Sequence, residues 1–435
     1  MLRSLRSPAG ALLLLAALSL GACDLTVEDP NATTSDDAFG TRSGLLASAV
    51  GLQQLYNVST LDNVVITTGI TSREIAVTTT LSNYTDLETG GAGLPDDNPN
   101  VGGLFSGLYR VAGFAEDLAA GAETAPDVEP ALRSGLIALG QFYRAVAIGT
   151  LAQNFEQVAL ETGPDAAYSA RTDAFNTAAD LLGEAAAGLT ATPPNAAFQD
   201  VLPAGFDLLN TVRAYRARYE LFAGNYAEAI AAANAVGAGA TSTFAYDALS
   251  ENPLYTFFYV GTTYGTAREN LGLPSVEPGD GRVDFYTGDA SELASASDLP
   301  IVDVEGFATG QAVSIPAYLP DELALIRAEA NVRLGNLAAA VADIDRVRTD
   351  TDDPFGVNAA LAPYSGPVTE AALLAEIFYN RATELYLQGL RLEDARRLGQ
   401  PGPTSGNAFQ RTRNFYPYPQ TEEQANPNTP ADPAI

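Results

Sequence analysis

The stretch LLNTVRAYRARYELFAGNYAEAIAAANAV, residues 208–236, decides the fold. Leu208, Val212, Tyr215, Tyr219 and Phe222 step by four and three, so a helix carries all five on one face. Gly224-Asn225 breaks that helix, and Tyr226, Ile230, Ala233 and Val236 form the apolar stripe of a second one. The same design returns 111 residues later, where Gly335-Asn336 is followed by Leu337, Val341, Ile344 and Val347.

Gly224, Tyr226 and Ala229, like Gly335, Leu337 and Ala340, resemble the turn and second helix of a tetratricopeptide unit, in which small residues let antiparallel helices approach closely. Alanine-rich helices match one another easily, so two unrelated amphipathic hairpins are the competing explanation. A tetratricopeptide unit occupies about 34 residues, far less than the offset. A segment rich in Gly, Ser, Thr and Pro, residues 241–317, is therefore inserted between the copies.

A second insertion, residues 59–103, holds the apolar runs 64–66 and 75–77, then Gly90, Gly91, Gly93 and Pro95. Short strands or hairpins are expected in both. Helical spacing also runs through 43–58, 104–121, 129–155 and 171–189. The expected fold is mainly α: tetratricopeptide-like pairs near 43–121, 129–189, 207–238 and 320–351, two loop and short-strand insertions, and a C-terminal helix and wrap over 369–435. Residues 43–435 form one domain.

At the other end of the chain, Arg3 and Arg6 precede an uninterrupted small and aliphatic run from Ala9 to Leu20, the arrangement of a secretory signal. The run is shorter than the roughly 20 residues a bilayer core requires. It ends in Leu20-Gly21-Ala22-Cys23, which resembles the lipobox of bacterial lipoproteins, and Cys23 is the only cysteine. An exported lone thiol has no disulfide partner, so acylation explains it better than a bridge. Residues 1–22 are the expected signal peptide and 23–42 a lipidated tether. An ordinary secretory signal with a fortuitous cysteine is the alternative.

Composition removes several chemistries. The 435 residues contain no histidine, and all 23 bases are arginine. Imidazole bases, Ser-His-Asp triads, zinc helices, phosphate-loop lysines and Schiff-base lysines are excluded. A net charge of -30 repels polyanions, so nucleic acid is not an expected partner. Charged residues are only 17% and hydrophobic ones 46%, which predicts a packed body rather than a charged tail.

Candidate binding chemistry concentrates in the insertions. Tyr255, Phe257, Phe258, Tyr259 and Tyr264 are the densest aromatic cluster, and period-2 spacing puts Tyr255, Phe257 and Tyr259 on one face of a strand. Tyrosine has a flat apolar face and a polar tip, which suits sugar rings. The core of a small hairpin is the other use of such a cluster. The first insertion adds Arg73, Glu74, Asn83, Tyr84 and Asp86, polar groups suited to orienting a hydroxylated ligand. The ligand-binding candidates are Arg73, Asn83, Tyr84, Tyr255, Tyr259 and Tyr264. The acidic loops 96–98, 280–284 and 350–353 have oxygen donors of the kind that hold Ca2+, the one alternative, but lack the spacing of an EF-hand, so no metal or other cofactor is expected.

Three blocks resemble the SusD/RagB family of surface lipoproteins. Cys23 is followed by Asp24-Leu25 and Asp29-Pro30-Asn31, similar to that family's entry into its fold. Ala328-Glu329-Ala330, Gly335 and Val347-Arg348 resemble its late helix pair, and Arg381, Glu384, Gly389, Arg391, Asp394, Arg396 and Gly399 its Arg/Glu-rich helix. Tyr416-Pro417-Tyr418-Pro419 with Glu422 or Glu423 and Asn426-Pro427-Asn428 resembles its C-terminal signature. Gln388, Leu392, Arg397 and the total absence of Trp depart from the pattern, and the last bears on ligand stacking. On spacing alone, a continuous helix would align Arg381, Glu384 and Arg391 on one face.

The resemblance implies a non-enzymatic outer-membrane lipoprotein, held at the cell surface by Cys23. Such a protein captures a glycan or other oligomeric nutrient for a SusC-like TonB-dependent transporter. The membrane is touched through the lipid alone, and the repeat surface faces the transporter while the insertions face the ligand. Asp24 leaves sorting between membranes open. Two rival functions remain: a tetratricopeptide adaptor lipoprotein for protein complexes, and a surface glycoside hydrolase using an Asp/Glu pair.

Overall fold

A computed structural model describes residues 34–435 apart from 261–262, 296 and 298. The expected signal segment, residues 1–22, and Cys23 lie outside the described residues. A capped turn, α1 (Ser35–Phe39), is followed by α2 (Arg42–Asn57), α3 (Leu61–Thr71), β1 (Ile75–Val77), α4 (Ser82–Thr89), α5 (Pro99–Thr124) and α6 (Pro130–Asn154). The hairpin β2 (Gln157–Ala159) and β3 (Tyr168–Ala170) leads to α7 (Arg171–Ala191), the single turn α8 (Ala196–Gln199), α9 (Leu208–Ala223) and α10 (Tyr226–Ala235). The second insertion carries β4 (Thr243–Phe244), α11 (Pro253–Tyr259), β5 (Gly265–Arg268), α12 (Gly281–Tyr286), β6 (Thr287–Ala290), β7 (Ile301–Val304) and β8 (Ile315–Pro316). The chain ends with α13 (Pro320–Arg333), α14 (Leu337–Arg348), α15 (Glu370–Glu384), α16 (Arg391–Arg397) and α17 (Gln420–Ala425).

The protein is mainly α, a tetratricopeptide-like array with strand-bearing insertions. Helices α2, α5, α6, α7, α9, α10, α13 and α14 pack each on the next, and α15 closes the row against α13. The two repeat copies end their first helices identically. Gly224 and Gly335 adopt φ of 87° and 80°. Asn225 N–H reaches back to Glu220 O and Asn336 N–H to Asn331 O, both at 2.8 Å. This is the Schellman closure, and the left-handed residue in it favours glycine. Close approach is equally specific at Gly149 of α6, where a Cβ would stand 2.3 Å from the Tyr219 ring of α9.

Helix α6 is long and apolar enough to cross a membrane, but 83% of its most apolar window is buried inside the protein. It is the central core helix, packed between α5 and α7.

One expectation fails at residues 64–66, which are helical rather than extended. Nine of the 11 residues of α3 are buried. A helix covered on every side shows no amphipathic period, so a short apolar run reads equally as a strand. The Thr68 and Thr71 hydroxyls donate to Val64 O and Thr67 O, at 2.6 and 2.9 Å, which lets these polar residues sit in the core.

The continuous helix through Arg381, Glu384 and Arg391 is also absent. Helix α15 stops at Glu384, and Leu387 and Gly389 turn the chain at φ 56° and 72° before α16 begins. Each side chain finds a different buried partner. Arg381 lies 2.9 Å from Asp394, Glu384 is 3.4 Å from Arg282, and Arg391 is 3.7 Å from Glu74. These groups fix the register of α15, α16 and the insertions.

The C-terminal segment wraps the array. Tyr416 donates to Thr67 O at 3.0 Å, and Tyr418 exchanges hydrogen bonds with the Gln157 backbone at 2.9 and 3.2 Å. Both rings are buried. Pro417 and Pro419 keep the strap extended.

Asp321 at the start of α13 is buried, and its Oδ2 has no hydrogen-bond partner among the described residues. Burial, and then Asp350, raise its pKa to about 7. The folded state therefore holds this proton more tightly than the unfolded chain, where aspartate titrates near about 3.9. The carboxyl is neutral for stability below that value, costs stability progressively as pH rises from there to about 7, and adds no further cost above it. Asp321→Asn, which mimics the protonated form, is expected to add about 1–3 kcal/mol at pH 8 and close to nothing at pH 4. Urea denaturation at the two pH values checks this, and an equal effect at both contradicts it.

Candidate functional site

The two insertions meet in one lobe. Strand β1 of the first pairs antiparallel with β5 of the second, Ile75 opposite Ala267, in a four-stranded sheet of order β1-β5-β7-β6. Beside this sheet a cleft of about 490 Å³ opens between α3, α4, the start of α5 and α11. Tyr84, Phe257 and Tyr264 form its aromatic wall, and Asp62, Asn63, Asn100 and Glu251 supply polar groups.

Local caps place these groups. Asn98 accepts from the N–H of Asn100 and Val101 at the start of α5, with Pro99 in the first helical position. Asn98 and Asn100 also donate to Asn83 O, at 3.0 and 3.3 Å, while Asn83 donates to Asn100 Oδ1 at 3.0 Å. That triad welds α4 to α5 and so positions Tyr84. On the other side, buried Asn252 caps α11 through the N–H of Leu254 and Tyr255. Its amide donates to Phe307 O and Val313 O, both at 2.8 Å. Thr78 N–H donates to Tyr264 O at 3.0 Å, extending the β1–β5 pairing to the aromatic residue itself.

Tyr84 and Tyr264 stack with centroids 5.4 Å apart and planes 23° from parallel, and Phe257 meets Tyr84 edge-on at 5.8 Å. Both tyrosines are half-buried. Such a wall covers the apolar face of a ring while the phenol tips remain able to hydrogen-bond. Asp62, in the first turn of α3, is half-buried and accepts from Asn63 N–H at 2.7 Å. Burial raises its pKa above the ordinary carboxylate value, against the pull of the backbone N–H groups.

Of the sequence-derived candidates, the structure brings Tyr84 and Tyr264 together in the cleft, with Asn83 just behind as a strut. Tyr255 and Tyr259 lie elsewhere. Residues 253–259 are helical, not the expected strand, so Tyr255 and Tyr259 stack one turn apart at 5.7 Å on a face separate from Phe257. Tyr259 donates to Val304 O, and neither residue lines the cleft.

Arg73 is also outside it. Its guanidinium donates to Gln410 O at 3.1 Å and Glu88 O at 2.9 Å, tying the first insertion to the C-terminal strap. Glu74 is buried, accepts from Leu387 N–H and Ser72, and belongs to the core. Asp62, Asn63, Asn100, Glu251 and Thr256 were not among the candidates. The Asn-Pro pairs 98–99 and 252–253 are helix-start signatures that would have pointed to two of the elements.

Two other cavities are less suited. One of about 520 Å³ between α7, α8 and α9 is walled mostly by Leu, Pro and Phe, and its Asp207 is already spent capping α9. One of about 370 Å³ under the strap includes Phe105, Tyr109, Arg110 and Glu422, but Tyr109 is committed to the Ala159 backbone. Among the described residues no group of three His, Cys, Asp or Glu is placed to hold a metal ion.

Comparison with known proteins follows the same lines. Residues 322–433 match the sequence profile of the SusD family. No curated protein matches the chain. A SusD superfamily protein from Bacteroides thetaiotaomicron superposes on 90% of this chain and 100% of its own, at TM-score 0.69 and 15% identity. A SusD-like carbohydrate binding protein from Bacteroides vulgatus covers 89% and 97%, at 0.68 and 15%. NanU from B. fragilis covers 93% and 99%, at 0.68 and 13%. The SusD family profile thus covers α13 to the C-terminal strap, and the fold of the SusD superfamily structures extends along nearly the whole chain.

Proposed function

We propose that this protein is a non-catalytic glycan-binding lipoprotein of the outer-membrane surface, anchored at Cys23, that passes its ligand to a SusC-like TonB-dependent transporter. The observation that carries the reading is the cleft at the junction of the two insertions. A stacked tyrosine pair there faces amide and carboxylate groups, the combination that grips both the CH faces and the hydroxyls of a sugar. One structural relative, the SusD-like carbohydrate binding protein from Bacteroides vulgatus, supports the same reading. The Arg-flanked apolar run before Cys23 supports export and acylation, with residues 1–22 as signal, 23–42 as tether and 43–435 as the binding domain. In this assignment the helical array docks on the transporter and the insertion lobe holds the glycan.

The purified full chain, applied to an array of glycans from several classes, is expected to retain at least one class without releasing reducing ends. A Cys23→Ser form should leave the membrane fraction. Retention of no glycan, or turnover of a glycan that Asp62→Asn abolishes, overturns the proposal; the second result would identify a hydrolase.

A further inference from the structure

Resting on the reading of the cleft as a glycan site, the geometry points to a sugar bearing a protonated amine as its preferred occupant, with Asp62 as counter-charge and the Tyr84–Tyr264 pair as aromatic wall. Charge balance is the first support. Among the described residues, the cleft is lined by two acids, Asp62 and Glu251, and no base. The chain has no lysine or histidine to supply one. No described arginine is among the residues lining the cleft. Arg218, Arg282, Arg348 and Arg397, for example, each hold a carboxylate within 3 Å in the interior.

Neither cleft acid has an ion-pair partner among the described residues. Among the described residues Asp62 accepts from local backbone N–H groups alone, that of Asn63 at 2.7 Å, although it is half-buried. A partly desolvated carboxylate with no cation nearby gains more from an ammonium than from a hydroxyl, because a doubly charge-assisted hydrogen bond replaces a singly assisted one. Tyrosine faces add attraction for a cation through the ring quadrupole. The same two carboxylates, within a chain of net charge -30, oppose uronic or sialic acids.

Four probes test this on the full chain by calorimetry: glucosamine oligomers, their N-acetylated counterparts, neutral glucose oligomers and uronate oligomers. The amine form is expected to bind about tenfold tighter than the N-acetylated one. Asp62→Asn should erase that margin, lowering affinity for the amine form about tenfold more than affinity for the neutral glucose oligomers. Glu228→Gln, an exposed acid on α10 remote from the cleft in sequence and fold, controls for the general field and should leave the margin intact. If circular dichroism shows Asp62→Asn misfolded, Glu251→Gln is read the same way. Equal or tighter binding of neutral, acetylated or acidic sugars overturns the inference and leaves the glycan reading standing. Equal losses in the Asp62 and Glu228 variants assign the effect to net charge and also overturn it. Binding of none of the four, nor of any array glycan, brings down the glycan reading itself.

Discussion

Arg282→Ala should cost about 3–5 kcal/mol of folding stability. Arg282 is fully buried on α12 of the second insertion. Its Nε and Nη2 grip Asp280 at 2.8 and 2.7 Å, Nη2 also donates to Asn380 at 3.1 Å, and Nη1 stands 3.4 Å from Glu384. Tyr379 donates to the same Asp280 at 2.7 Å. The cluster bolts the insertion lobe to α15. Removing the guanidinium strands two carboxylates in the interior, and it is the orphaned charge rather than the lost attraction that makes such deletions expensive.

Glu384 shows how finely this is poised. Burial pushes its pKa well above the ordinary value, and Arg282 is the main group opposing that rise. Without Arg282 the site would take up a proton more readily, so the penalty should shrink as pH falls. Guanidinium denaturation at pH 8 and pH 5 measures both effects. A loss below about 1 kcal/mol at pH 8, or a penalty that grows toward acid, contradicts this account.

Tyr264→Ala should weaken glycan binding about thirtyfold, an effect of about 2 kcal/mol, with the circular dichroism spectrum unchanged. The ring forms one half of the stacked wall, and its residue stands just before β5, held by its backbone carbonyl, which accepts from Thr78 N–H. Truncation therefore removes contact area without loosening the lobe. Tyr259→Ala is the internal comparison. Its ring lies on a different face of α11, and a change of less than about twofold is expected. Reversed magnitudes would move the ligand to the Tyr255–Tyr259 face.

The array was readable in the sequence because its signals are local. The glycine closures at 224 and 335 and the four-and-three stripes depend on a few adjacent residues. Helix α3 was not, since burial on all sides erases the periodicity that distinguishes helix from strand. Residues 253–259 misled for a related reason: aromatics at 255, 257 and 259 satisfy a period of two, while 255 and 259 alone also satisfy a helical turn. The Asn252-Pro253 cap settles that ambiguity, and it outranks the aromatic pattern.

The site was only half legible for a different reason. Asp62, Asn100, Glu251 and Tyr264 come from four separate segments, and the pairing of β1 with β5 brings them to one cleft. No spacing within either insertion encodes that pairing. Arg73 shows the converse. A polar residue in a promising loop turned out to bind backbone carbonyls 15 and 337 residues away.

Amide hydrogen exchange of the full chain with and without a bound glycan tests the central claim most directly. Protection should rise in residues 58–67, 82–100 and 251–260 and stay level in 102–110, 161–166 and 419–422, which line the cavity under the strap. Protection confined to the second set, or to the aliphatic cavity between α7 and α9, would contradict the assignment of the ligand to the cleft between the insertions.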